Sequence, residues 1–297
     1  MARAVGITAP GGPEVLTVID REVRAAGPGE VRITVSAAAV NPTDIGLRAQ
    51  GAGDLQPPWT PGMDAAGEIE SVGEGVDRLT VGESVMAAVS PRRPEGGAQA
   101  ELIIAPAASV VAIPDGASLD EAATLPMNGL TALRGLEMLG LAPGETLAVS
   151  GGAGVLGSYV IGLAREQGLR VIADARPEET ELVRGFGADI VVQRSDDFSA
   201  AVRAEVPDGV AAVYDTALLN SAALPAIRDG GGLAVVRGWS EGEPPRGITV
   251  HPVMVRDVLE RTEWLAQLRS LAGAGRLSLR VAGRYPPEQA AEAQRVM

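Results

Sequence analysis

The chain has 297 residues, a formal net charge of −13, one histidine and no cysteine; 46% of it is hydrophobic and 3% aromatic. The missing cysteine excludes disulfides, thiol catalysis and thiolate metal sites, and the strong negative charge argues against nucleic acid or an anionic membrane surface as the main partner. The length suits about two domains, with cores of Ala, Val, Leu and Ile.

From the N-terminus, Met1-Ala-Arg-Ala-Val-Gly6 lacks the apolar core of a signal peptide, and no apolar run is long enough to span a bilayer. A cytoplasmic location is the resulting expectation. The first third is punctuated by Gly11-Gly12-Pro13, Gly27-Pro28-Gly29 and Pro57-Pro58. Between these lie short alternating runs that read as half-buried strands: Val31–Ser36, Gly67–Val72 and Glu83–Val89. This portion predicts a small, mostly β domain.

The pattern changes near Ser118, where Ser118-Leu-Asp-Glu121 has the form of a capping box. Helical segments then alternate with apolar strands at Leu147–Ser150, Arg170–Ala173, Ile190–Val192, Ala211–Tyr214, Leu233–Val236 and Ile248–Val250. Such alternation predicts a parallel sheet with both faces covered. After His251 a helical stretch is expected to about Leu271, then a strand over Leu277–Val281 and a last amphipathic helix after Tyr285-Pro-Pro287.

Within the second portion, Thr146-Leu-Ala-Val-Ser-Gly-Gly-Ala-Gly-Val-Leu-Gly157 reads as a strand, a glycine turn and a helix from about Val155 to Gln167. Gly152, Gly154 and Gly157 have the G-x-G-x-x-G spacing: the first for the tight turn, the second for close approach of a pyrophosphate, the third for helix–strand packing. With 38 glycines in the chain the triplet alone is weak. Its context strengthens it, because the next apolar run ends in Asp174, where an acid can accept hydrogen bonds from a ribose. A helix N-terminus there offers N–H groups to phosphates, and the N–H groups of Val155 and Leu156 are the expected contacts.

Several further segments carry a resemblance: Gly12-Pro-Glu-Val-Leu16, Asn41-Pro-Thr-Asp44 with Arg48, Pro61-Gly-Met-Asp-Ala-Ala-Gly67, Gly96-Gly-Ala-Gln-Ala-Glu101, Leu125-Pro-Met-Asn-Gly-Leu-Thr-Ala132 and Phe186-Gly-Ala-Asp189. In this order they resemble the zinc-free quinone oxidoreductase (zeta-crystallin-like) branch of the medium-chain dehydrogenase/reductase superfamily. The resemblance implies an α/β fold: a Rossmann doubly wound parallel sheet over 121–262 and a mostly β, GroES-like substrate domain over 1–120 and 263–297, with the cofactor in the cleft between them. It also implies a homodimer, and a final strand beyond Met297.

Zinc-dependent members of the superfamily use Cys and His ligands, whereas the corresponding neighbourhoods here read Asn41-Pro-Thr-Asp44 and Gly62-Met-Asp64. No metal is expected. His251, between an apolar strand and Pro252, reads as structural rather than as a ligand. Direct hydride transfer to a polarised C=C bond or a quinone needs no metal, because the nicotinamide carries that chemistry.

The resemblance places Asn41 and Thr131 beside the nicotinamide, with Asp44 in the same motif as Asn41; a turn role for Asn41-Pro42 is open as well. Asp174 favours NAD(H), whereas Arg176 and Arg194 can clamp a 2′-phosphate or stand as solvated charges. NADP(H) is the favoured expectation. Asp215, Thr216, Ala217, Gly238 and Trp239 follow later strands at their C-terminal ends, where α/β sheets bind ligands. Trp239 covers the pocket or packs a loop. No tyrosine follows the Asn41-Pro-Thr-Asp44 segment closely, so no proton donor is assigned. The expected activity is reduction of small-molecule quinones or enones. The rivals are a trans-acting enoyl reductase of polyketide or fatty-acid type and a non-catalytic NADPH-binding redox sensor.

Overall fold

The computed structural model describes residues 1–297 and divides them into two compact units. The first comprises Met1–Met127, Leu259–Gly273 and Leu279–Met297, and the second Asn128–Val258 and Ala274–Ser278.

The first unit opens with the antiparallel pair β1 (Ala2–Ile7) and β2 (Leu16–Arg21). It continues through β3 (Glu30–Ala38), α1 (Pro42–Gln50), β4 (Asp64–Val72), β5 (Ser84–Ala88), β6 (Leu102–Pro106) and β7 (Val110–Ala112). The last five strands form an antiparallel sheet ordered β6-β3-β4-β5-β7. Their alternate residues, among them Val31, Ile33, Ile69, Val85 and Ile103, make the core of this unit. The mostly β character expected of the first third is therefore present. Short helix α2 (Leu119–Ala122) begins at the expected capping box, where the Ser118 N–H donates to the Glu121 carboxylate at 2.9 Å.

Helix α3 (Pro126–Leu139) leads into the second unit. There follow β8 (Thr146–Ser150), α4 (Val155–Glu166), β9 (Arg170–Ala175), α5 (Thr180–Phe186), β10 (Ile190–Gln193), α6 (Phe198–Glu205), β11 (Val210–Asp215), β12 (Ile227–Val236) and β13 (Thr249–Val253). All six strands are parallel, in the order β10-β9-β8-β11-β12-β13. This is the doubly wound order, whose direction reverses between β8 and β11. The central strands read as continuous apolar runs because helices cover both faces; every residue of β11 is buried.

The chain ends with α7 (Thr262–Gly273) and α8 (Ala290–Val296). Two expectations for this region are corrected. The chain does not turn helical directly after His251: β13 runs on to Val253 because its backbone pairs with Gly232–Val236 of β12, and the α-helix starts only at Thr262. Nor is Leu277–Val281 a strand. Leu277 is buried singly against α4, where a Cβ added to Gly162 would lie 2.8 Å from its Cδ2. No helix is long and apolar enough to cross a membrane.

Candidate functional site

In doubly wound sheets ligands bind beyond the strand ends where the order reverses. Here that point is marked by the loop after β8, residues 151–154, and the loop after β11. The tight-turn residue is Gly151 (φ +70°), not Gly152 as the spacing suggested. Gly152 is needed for closeness instead: a Cβ there would come within 2.9 Å of the Asp174 carbonyl oxygen. Gly157 lies on the first turn of α4 against the loop, where a Cβ would sit 2.3 Å from the Gly151 carbonyl oxygen. Gly154 is the N-cap of α4, so Val155 and Leu156 begin the helix with N–H groups that have no acceptor in a preceding turn. Loop and helix together form a cradle suited to a pyrophosphate.

Asp174 is held by the chain on both carboxylate oxygens. One carboxylate oxygen accepts from the N–H groups of Gly151 and Gly152; the other accepts from Arg194 Nε at 2.7 Å. The acid thus braces the glycine loop from β9 and fixes a guanidinium beside it. Arg194 remains partly exposed. Arg176 is engaged elsewhere, 2.6 Å from Glu179 and 3.5 Å from Glu178. The hydrogen bond from Arg176 holds the Glu179 carboxyl down at about 2, with Arg194 adding to the effect.

At the end of β11, Asp215 is fully buried. It accepts from Ser150 Oγ at 2.6 Å, from the Ala217 N–H at 3.2 Å and from the Asn220 N–H at 2.7 Å. Thr216 Oγ1 donates to the Ser150 carbonyl at 2.6 Å. The structure thus brings Thr216 and Ala217 together with the start of the glycine loop. Gly238 (φ +89°) and Trp239 follow β12, and the indole packs partly on the sheet core while donating to the Gly242 carbonyl at 2.7 Å. Thr131 is buried on α3. Asp215 stands where the end of the strand run suggested a ligand-side residue; the roles of Gly151 and Ser150 are not legible in the sequence, where a polar residue closing an apolar strand run is the only signal for Ser150.

In the first unit, Asn41 caps α1 ahead of Pro42 at the first helical position. The Asn41 N–H donates to Asp44 Oδ2 at 2.8 Å, and the Gly62 N–H donates to Asp44 Oδ1 at 2.8 Å. Asn41 Nδ2 donates to Asp64 Oδ2 at 2.7 Å, while the Met127 N–H donates to Asp64 Oδ1. Asp64, which the sequence reading had not singled out, therefore orients the Asn41 amide. Burial pushes Asp44 up to about 6 and Asp64 up to about 7.

Both values lie above that of a free carboxyl, so between about pH 4 and 7 the native state holds more protons than the unfolded chain. The stability this contributes is complete at low pH and is lost as pH rises through about 6 and then 7. The stability of the wild type minus that of Asp64→Asn is therefore expected to become less favourable as pH rises, which urea unfolding of both proteins measures. A pH-independent difference would refute it.

A zinc ion does not fit these residues. Cysteine is absent, the one histidine lies on β13, and no three His, Cys, Asp or Glu side chains converge.

A parallel sheet in doubly wound order, with a glycine-rich cradle at its reversal and a separate antiparallel β unit in the chain, defines the class of two-unit nucleotide-binding oxidoreductases. Residues 27–115 match the alcohol dehydrogenase GroES-like domain and residues 155–270 the zinc-binding dehydrogenase domain. An alcohol dehydrogenase of Geobacillus stearothermophilus is 34% identical over 251 residues, covering 75% of this chain and 72% of that protein. The chain belongs to the medium-chain dehydrogenase/reductase superfamily. A chloroplastic NADPH-dependent alkenal/one oxidoreductase of Arabidopsis thaliana is 34% identical over 70% of this chain; the match spans 55% of that protein's length. Two solved structures superpose with TM-scores of 0.87 over 99% of this chain and 95% of theirs: a mycobacterial protein complexed with NADPH (29% identical) and a quinone oxidoreductase of Pseudomonas syringae (25% identical).

Proposed function

We propose that this chain is an NADPH-dependent reductase of activated enones or quinones that works without zinc. The observation that carries the cofactor reading is the Gly151–Asp174–Arg194 arrangement. Asp174 is buried and already accepts three hydrogen bonds from the chain, and it fixes beside the glycine loop a guanidinium of the kind that takes a 2′-phosphate. The relatives named for NADPH and for alkenal, enone or quinone substrates support the same reading.

A bound nicotinamide would supply the hydride chemistry. The part of the nucleotide-binding unit is to hold and orient: N–H groups at the start of α4 for the pyrophosphate, Arg194 for the 2′-phosphate and Thr131 for the reacting end. Positioning of this kind lowers a barrier by several kcal/mol.

Loss of reduced-nicotinamide absorbance across a panel of enones and quinones tests the activity; demonstrated NADPH binding without turnover on any acceptor would identify a non-catalytic binder. For the cofactor, Arg194→Ala is expected to raise KM for NADPH about 10- to 100-fold, the size of a lost charge-assisted contact, and to leave KM for NADH nearly unchanged. Equal effects on both would remove the phosphate contact from the reading.

A further inference from the structure

Tyr214 precedes Asp215 on β11 and is fully buried. Its hydroxyl donates to the Thr131 carbonyl oxygen at 2.6 Å. The Thr131 carbonyl and the Gly135 N–H are the acceptor and donor of one i, i+4 helical pair of α3. The phenol therefore adds a donor to a carbonyl that the helix can satisfy alone, and ties that turn of α3 to β11. Gly135 is what admits the ring: a Cβ there would lie 2.2 Å from Tyr214 Cε2 and 2.4 Å from its hydroxyl oxygen.

Simple core packing does not account for this arrangement. A phenylalanine would bury the same ring without the cost of drying a hydroxyl, and the helical pair it engages needs no outside partner. What the hydroxyl adds is a fixed relation between the Thr131 turn and the end of β11, where Asp215 joins the strand to Ser150 at the base of the glycine loop. We propose that Tyr214, admitted by Gly135, is a positioning residue for Thr131, setting the turn of α3 that presents its side chain. The proposal rests on the reading of Thr131 as a nicotinamide-side residue.

The test is a double-mutant cycle in the full chain with Tyr214→Phe, Thr131→Val and both, using NADPH and methyl vinyl ketone as probes. Three quantities are read: kcat, the Kd of NADPH, and the Kd of adenosine 2′,5′-bisphosphate, which occupies only the adenosine half. Tyr214→Phe is expected to lower kcat about tenfold, or to weaken NADPH by that factor, when Thr131 is present, and by less than about twofold in the Thr131→Val background. The affinity for adenosine 2′,5′-bisphosphate stays unchanged throughout.

Gly135→Ala, which keeps the phenol in the chain but excludes it from the helix, is expected to show the same background dependence. Equal effects of either variant in both backgrounds, or a parallel loss of bisphosphate binding, would assign the hydroxyl to general packing and overturn the proposal alone. A Thr131→Val variant indistinguishable from wild type in kcat and NADPH affinity would overturn the reading of Thr131, and the proposal with it.

Discussion

Gly157→Ala is expected to cost about 100-fold in NADPH affinity, roughly 2.7 kcal/mol, and to lower the stability of the nucleotide-binding unit as well. The new Cβ meets backbone: the Gly151 carbonyl oxygen at 2.3 Å, its carbon at 3.0 Å and Gly152 Cα at 3.1 Å. None of these is the far end of a flexible side chain, so α4 or the glycine loop must move. Either movement pulls the first N–H groups of α4 away from the cradle they form with the loop. Titration of NADPH against the variant measures the effect. Gly185→Ala on α5 is the control, since a Cβ there has open space. It is expected to be neutral or to stabilise by up to about 1 kcal/mol, because alanine restricts the unfolded chain and suits a helix. Equal behaviour of the two variants would show that the contact at Gly157 does not limit binding.

Asp215→Ala is expected to destabilise the same unit by about 3 kcal/mol, in the range for leaving buried donors without a charged partner. The carboxylate serves the Ser150 hydroxyl and the N–H groups of Ala217 and Asn220. It also spans Leu218 and Asn220, two non-glycine residues with φ of +62° and +52°. Such conformations persist only where surrounding bonds over-determine them. Without the acid, the loop after β11 loses what holds it beside the start of the glycine loop. Chemical denaturation measures the loss. Asp215→Asn keeps acceptor capacity and is expected to lose less; an alanine variant as stable as wild type would show that the network is not a source of stability.

The parallel sheet was legible because a strand buried on both faces needs a short unbroken apolar run, and Leu147–Ser150, Arg170–Ala173 and Ala211–Tyr214 are such runs between helical segments. The glycine loop was legible for a related reason: close backbone contact admits only glycine, and the spacing survives in the sequence as Gly152, Gly154 and Gly157. Leu277–Val281 misled because it is short, and a short apolar run predicts burial without saying against what; Leu277 is buried on a helix, not in a sheet. Beyond His251, extended pairing outlasted the expected helix because a neighbouring strand was available, which is a tertiary fact.

The sequence by itself determined the α/β class, the nucleotide-binding loop, the absence of thiolate ligands and the superfamily, since each is a property of local residue spacing or of composition. What the tertiary structure decided is which partner each polar residue has. Asp174 at the end of β9 reads locally as a ribose acceptor; that it also braces the loop follows only from β8 and β10 bringing Gly151 and Arg194 to its two oxygens. Tyr214 reads as one more buried residue of β11, and its link to Thr131 exists only because α3 packs on that strand at Gly135. A hydrogen bond between residues 83 positions apart leaves no trace in local spacing.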